Sequence, residues 1–235
     1  MTLTRTARTA VATAGSCALG LALALPASAA GQQQDEQAEV SVFHGIPGLT
    51  VDVYADGEEL LSDFGPGTVA EPMTLEPGSY DVEVFEAGAD PDSADPELRR
   101  TVEVPAGGNA TLAAHLSAEG DPRLSAFVND TSEVASGDAR LTVRHLAAAP
   151  AVDVRAGGDT LVEGLENPNE ASVEVPADTV QAEVVLAETD DVVIGPADLQ
   201  LAEDTNTIVY AWGSAEEDSL ALAVQTVDTA RAEYG

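Results

Sequence analysis

The chain has 235 residues, 44% of them hydrophobic and only 4% aromatic, with a formal net charge of −33 and arginine as its only basic side chain besides histidine. That length gives room for one or two domains with cores of their own, and so negative a field repels nucleic acid and anionic lipid, which excludes both as expected partners. Because the acids are spread along the chain and alternate with apolar residues, they read as a solvated surface that favours solubility and hydration in salt, the pattern of an acidic, salt-adapted surface protein.

Residues 1–30 carry Arg5 and Arg8, then a small and apolar run from Val11 to Leu25, then Pro26-Ala-Ser-Ala-Ala30. This is the three-part pattern of a secretory signal peptide with cleavage near Ala29 or Ala30, and it predicts a secreted, extracellular protein. The run is shorter than the ~20 apolar residues that span a bilayer, so no transmembrane segment is expected after cleavage. Cys17, the one cysteine, lies inside that run. The exported part therefore has no thiol, which excludes disulfides and thiol chemistry and leaves its cores to hold it.

Residues 31–39 are polar and Gln-rich and read as a disordered leader. A first domain is expected over 40–130. Its strands are read at Val40–His44, Val51–Tyr54, Glu59–Leu61, Pro72–Leu75, Tyr80–Val84, Arg100–Val104, Ala110–Leu116 and Leu124–Val128, punctuated by Gly and Pro turns. Residues 130–139 form a polar connection short enough for the flanking domains to pack on each other. A second domain is expected over 139–228, followed by a polar tail, 229–235. Many short strands without an amphipathic helix predict an all-β fold of two tandem antiparallel β-sandwiches, immunoglobulin-like or transthyretin-like.

The case for two domains rests on an internal repeat. Residues 40–61 reappear without a gap as 141–162, with His44, Val51, Asp52 and Val53 falling on His145, Val152, Asp153 and Val154. Later segments match in the same order, Asn109–His115 with Asn206–Trp212 and Leu124–Val128 with Leu220–Val224. A period of about 100 residues is that of a domain, not of a short solenoid unit.

The candidate chemistry is sparse. His44 and His145 each end the first strand of their copy, where an imidazole can move a proton or bind a metal, or can hydrogen-bond the next loop and hold it down. Each stands without a nearby Cys or second His, short of the three or four ligands a zinc site takes. Asp52 and Asp153 sit between valines, at the outward position of a strand, where they face water or cap a turn, or form a cation site if neighbouring loops supply more oxygens. Asp90, Asp92, Asp95 and Glu97 concentrate carboxylates in one loop, a weak divalent-metal candidate that lacks the spacing of a helix-loop-helix calcium loop. Neither a nucleophile elbow, a phosphate-cradling loop nor a dinucleotide fingerprint occurs, so no catalytic residue and no cofactor is assigned. Asn109-Ala-Thr111 and Asn129-Asp-Thr131 match the glycosylation acceptor pattern.

His44-Gly-Ile-Pro47, Val51-Asp-Val-Tyr54 and Leu75-Glu-Pro-Gly-Ser-Tyr-Asp-Val-Glu-Val84 together resemble the bacterial domain-of-unknown-function family DUF4397. The resemblance extends over both halves and implies exported, often duplicated β-sandwich modules at the cell envelope of bacteria, including actinobacteria. It assigns no activity. It marks His44, Pro47, Asp52 and Tyr54 as motif positions, matched by His145 and Asp153, whereas Pro150 falls five residues after His145 and Arg155 replaces the tyrosine. Some relatives carry wall-sorting tails, and residues 230–235 show none, which implies release or non-covalent retention. The resulting expectation is a secreted, non-enzymatic structural or binding module whose partner is a cell-wall or extracellular component. Its alternatives are a metal-dependent binding protein or hydrolase using His44 and His145 with nearby carboxylates, and a salt-adapted surface protein without a discrete ligand.

Overall fold

A computed structural model describes residues 37–189 and 191–230. The expected signal peptide, most of the leader and most of the tail lie outside the described residues. Among them the structure is all-β, with seventeen strands in four sheets.

The first half contributes β1(Ala38–His44), β2(Val51–Ala55), β3(Glu58–Phe64), β4(Thr68–Val69), β5(Met73–Leu75), β6(Gly78–Glu86), β7(Leu98–Val104), β8(Asn109–Leu116) and β9(Pro122–Val128). One sheet runs β4-β1-β8-β9, with β5 also on β1, and the other runs β3-β2-β6-β7. The second half contributes β10(Asp138–Ala148), β11(Val152–Ala156), β12(Asp159–Leu165), β13(Glu170–Pro176), β14(Thr179–Leu186), β15(Val192–Gln200), β16(Thr205–Ser214) and β17(Ala221–Asp228). Its sheets run β13-β10-β16-β17 and β12-β11-β14-β15. The first strand starts at Ala38, earlier than the expected Val40, and the second half's first strand starts at Asp138, one residue before the expected domain boundary at 139. The second edge strand, β13, is continuous, while its counterpart is broken into β4 and β5 around Pro72, which has no N–H to give a ladder.

The all-β sandwich expectation holds, with one departure from antiparallel pairing in each half. β1 runs parallel to β8, and β10 parallel to β16. A parallel pair needs a long crossover, and here the strands of the opposite sheet supply it in place of a helix. First and second strands lie in different sheets, unlike the immunoglobulin order, where they share one. That leaves the transthyretin-like arrangement of the two expected.

Each half buries alternate aliphatic side chains between its sheets. Val42, Val51, Val53, Val82, Val84 and Leu112 centre the first core, and Leu141, Val143, Val152, Val154, Val184 and Val209 the second. The four central strands are buried on both faces, because the opposite face of β1 and β8 packs against that of β10 and β16. Phe43, Ala113, Leu146, Ile208, Tyr210 and Ala223 form this third apolar layer, a seam between the halves.

Candidate functional site

Both histidines of the repeat are fully buried, but only His44 ends its strand as expected; His145 lies inside β10, which runs on to Ala148 because its parallel pairing with β16 continues to Ser214. His44 Nε2 donates to Leu49 O at 2.7 Å, and His145 Nε2 donates to Pro150 O at 2.9 Å. Each ring therefore spans the loop that follows its strand and ties it at the fifth residue on. Burial holds both imidazoles below the usual histidine pKa, against the opposing pull of those carbonyls. They are neutral at pH 7. His145 Nδ1 accepts the Ala147 N–H at 3.4 Å, while His44 Nδ1 has no partner and lies at 6.0 Å ring separation from Phe64. In the His44 loop, Pro47 and Gly48 form the turn, with Gly48 at φ 70°, a conformation that favours glycine.

Of the readings open to Asp52, the structure shows the capping one and not the wet one. Asp52 is only 6% exposed; Oδ1 accepts the Asp63 N–H and Oδ2 the Gly88 N–H, each at 2.8 Å. The physical reason is a bulge. The β2–β3 register shifts on both sides of Val53, Asp63 takes φ 51°, and the bulge and the loop after β6 each turn an amide toward the carboxylate. Asp153 accepts Gly164 N–H at 2.7 Å at the matching bulge, where Gly164 has φ 60°. Tyr54 lies outside this arrangement, donating to Glu59 at 3.0 Å and meeting Phe85 edge-on at 5.5 Å. The Glu59 hydrogen bond raises its pKa.

The acidic loop turns on itself. Asp90 accepts the Asp92 N–H and the Ser93 hydroxyl, both at 3.1 Å, as a capping residue does. Among the described residues no three His, Cys, Asp or Glu side chains are grouped to hold a metal ion, so Asp90, Asp92, Asp95 and Glu97 do not converge. Neither acceptor asparagine is free: Asn129 is buried, and it donates to Asn109 at 2.6 Å.

The densest polar chemistry lies in the seam, and sequence reasoning missed it. Arg144 is 1% exposed, on the seam face of β10. Its Nε donates to Glu170 at 2.7 Å, Nη1 to Tyr210 Oη at 3.1 Å and Nη2 to Asn129 Oδ1 at 2.8 Å, with its guanidinium 4.5 Å from the Phe127 ring centroid. The Tyr210 hydroxyl donates to Gln225 Oε1, which also accepts Thr111 Oγ1–H at 3.0 Å. Phe43 stacks on Tyr210 at 4.3 Å. At the far end, Asn167 Nδ2 donates to both Leu116 O and Ala147 O at 2.8 Å, one carbonyl from each half. Beside it His115, also buried, bonds Leu116 O through Nδ1 and Ser125 Oγ through Nε2. Burial lowers its pKa, assisted by Arg123 and Arg100. The signal for this seam was present in the strands themselves, since β8 and β16 carry no Asp, Glu or Arg on either face, as strands covered on both sides do not.

This arrangement clamps two sandwiches together and pins their loops; it gathers no nucleophile, base and oxyanion donor around a common point. A family comparison bears on it directly. The model for the domain of unknown function DUF4397 matches residues 38–155. The chain belongs to the DUF4397 family. The DUF4397 match opens at β1 and ends in β11, so it takes in His44, Pro47, Asp52, Tyr54, His145 and Asp153 together with Arg144. No curated protein matches the chain. Within the family motif the proline shifts between Pro47 and Pro150, but the histidine reaches the fifth residue in both places.

Proposed function

We propose that this chain is an exported, non-catalytic binding or structural module that works outside the membrane, built from two tandem copies of the DUF4397 domain. The observation that carries the non-catalytic part is the use of His44 and His145, each sealed from solvent, neutral and tied to a loop carbonyl. A general base or ligand has to reach a substrate or ion, and these rings face backbone instead. Export is supported by the basic, apolar and small-residue succession of residues 1–30. A duplicated origin is supported by the shared strand order of the halves and by the matching His and Asp contacts.

The test has two arms. Expressed with its native N-terminus, the protein is expected outside the cell with a first residue at Ala30 or Gly31; full-length chain retained in the membrane fraction would refute export. The double variant His44→Gln/His145→Gln is expected to melt lower than the parent, and divalent ions are expected to leave the parent's melting unchanged. Unchanged melting together with loss of an ion-induced stabilisation would establish the metal-dependent alternative.

A further inference from the structure

An open cleft of about 810 Å³ flanks the seam between two strand edges. One wall is residues 224–228 of β17, and the other is residues 69–72, where the first half's edge strand breaks. Successive residues of a strand point to opposite faces, so an unbroken run of five along one wall presents the backbone edge. Among the described residues β17 ends its sheet, and no strand is hydrogen-bonded to its outer edge. Such an edge carries unpaired N–H and C=O groups at alternate residues, a template for an added strand.

Among the described residues the charge of the cleft has one sign: Glu39, Glu71 and Asp228 line it, and no arginine does. The second half shows what occupies the corresponding place when the sign is reversed. Glu39 lies opposite Asn109 on β8, and Arg140 lies opposite Asn206 on β16, so the two positions are equivalent. At Arg140 the space is filled by an acidic segment of the chain itself. Arg140 donates to Asp130 O at 3.2 Å and Ser132 O at 3.0 Å and pairs with the carboxylates of Asp130 and Glu174, while Asn206 Nδ2 donates to Asp130 O. Where the wall is a cation, an irregular anionic segment sits against it; where the wall is Glu39, no described segment fills the space.

We propose that this cleft docks an extended, arginine- or lysine-bearing polypeptide segment of a partner protein, which adds along the free edge of β17 and sets its cations against Glu39, Glu71 and Asp228. The proposal deepens the binding-module reading and rests on it. Backbone pairing supplies affinity with little demand on sequence, and the three carboxylates select the sign of the charge. The chain's own residues 31–36 are the competing occupant, but Asp35 and Glu36 give them the wrong sign.

The test titrates the mature chain from residue 31 against a fluorescent synthetic peptide of alternating arginine and valine, read by anisotropy. Binding is expected, with about a tenfold loss for Glu39→Gln/Glu71→Gln and a similar loss when alternate peptide amides are N-methylated. No change is expected for Asp90→Asn/Glu97→Gln, which removes as much charge from another loop. Absence of binding would overturn the proposal, as would equal weakening by both double variants, which is bulk attraction, or indifference to N-methylation, which is not strand addition. Binding that requires deletion of residues 31–36 would assign the cleft to the chain's own leader instead. Because export is read from the N-terminus of secreted material, docking can fail while the module reading stands.

Discussion

Replacing Arg144 by Ala should loosen the whole molecule, because the guanidinium joins side chains from both halves. The cost can be assembled from its partners. Glu170 is 37% exposed at its side chain, so its carboxylate returns to water and contributes at most about 1 kcal/mol. Tyr210 keeps Gln225 as its acceptor and loses little. Asn129 Oδ1 is left with only Thr111 Oγ1 at 3.4 Å, which puts it near the cost of a buried unsatisfied acceptor, about 1–2 kcal/mol. Loss of the cation over Phe127 and of the packed methylene stem adds about 1–2 kcal/mol. The sum is about 2–5 kcal/mol, overlapping the range for removing one partner of a buried pair, and corresponds to roughly 10 °C in Tm for a chain of this size. Arg144→Met, which keeps the stem and its packing, should lose about half as much. Urea unfolding followed by tryptophan fluorescence checks this well, since Trp212 sits at the seam beside Phe43 at 6.5 Å. A loss below about 1 kcal/mol for Arg144→Ala would refute the view that the seam is a structural joint.

Three further outcomes are expected. Asp52→Ala should cost about 2–3 kcal/mol, since it strands two amides, and Asp153→Ala about 1 kcal/mol, since it strands one in a more open place; equal losses in chemical denaturation would contradict the bulge-capping role. The three buried histidines have pKa values held below 6.5, so the unfolded chain takes up protons first as pH falls. Their stabilisation is complete above about pH 6.5 and is lost as pH drops from there toward their folded values; a melting temperature that stays flat between pH 7.5 and 5, or a slope that persists in the triple His→Gln variant, would show another origin. With a formal charge of −33, self-repulsion should be screened by salt, and Tm should rise between ~0.05 and ~0.5 M NaCl; a fall would remove the salt-adapted reading of the surface.

The fold was legible where alternation was clean. Tyr80, Val82 and Val84 against Asp81 and Glu83 mark a strand with one wet face, and β6 is built that way. The parallel pairs were not legible, because spacing along the chain shows how far apart two strands are in sequence but not which route joins them. Alternation left open whether Asp52 faces water or caps a turn, for a related reason. Alternation places it on the outer face, but the bulge at Asp63 and the loop carrying Gly88 fold over that face and bury it. His44 and His145 stand where a ring N–H meets a loop carbonyl, and a repeat offset of 101 residues was enough to align them. Arg144 was invisible to the repeat, because the equivalent position in the first half is Phe43 and nothing in the alignment marks a buried cation opposite an aromatic ring.

That substitution explains why the two halves differ where they are most alike in backbone. Two sheets packed by the same faces confront each residue with the counterpart of its own neighbours, so a self-complementary seam could be wholly apolar. Here Phe43 stacks on Tyr210 while the equivalent Arg144 reaches across the seam to Phe127 and Asn129 and pairs with Glu170 on its own sheet. A seam of unlike residues has one correct pairing, first half against second, whereas an apolar one would pair first with first equally well. The buried arginine therefore disfavours association of like halves between molecules, because a second Arg144 in place of Phe43 would set two desolvated cations across the same layer.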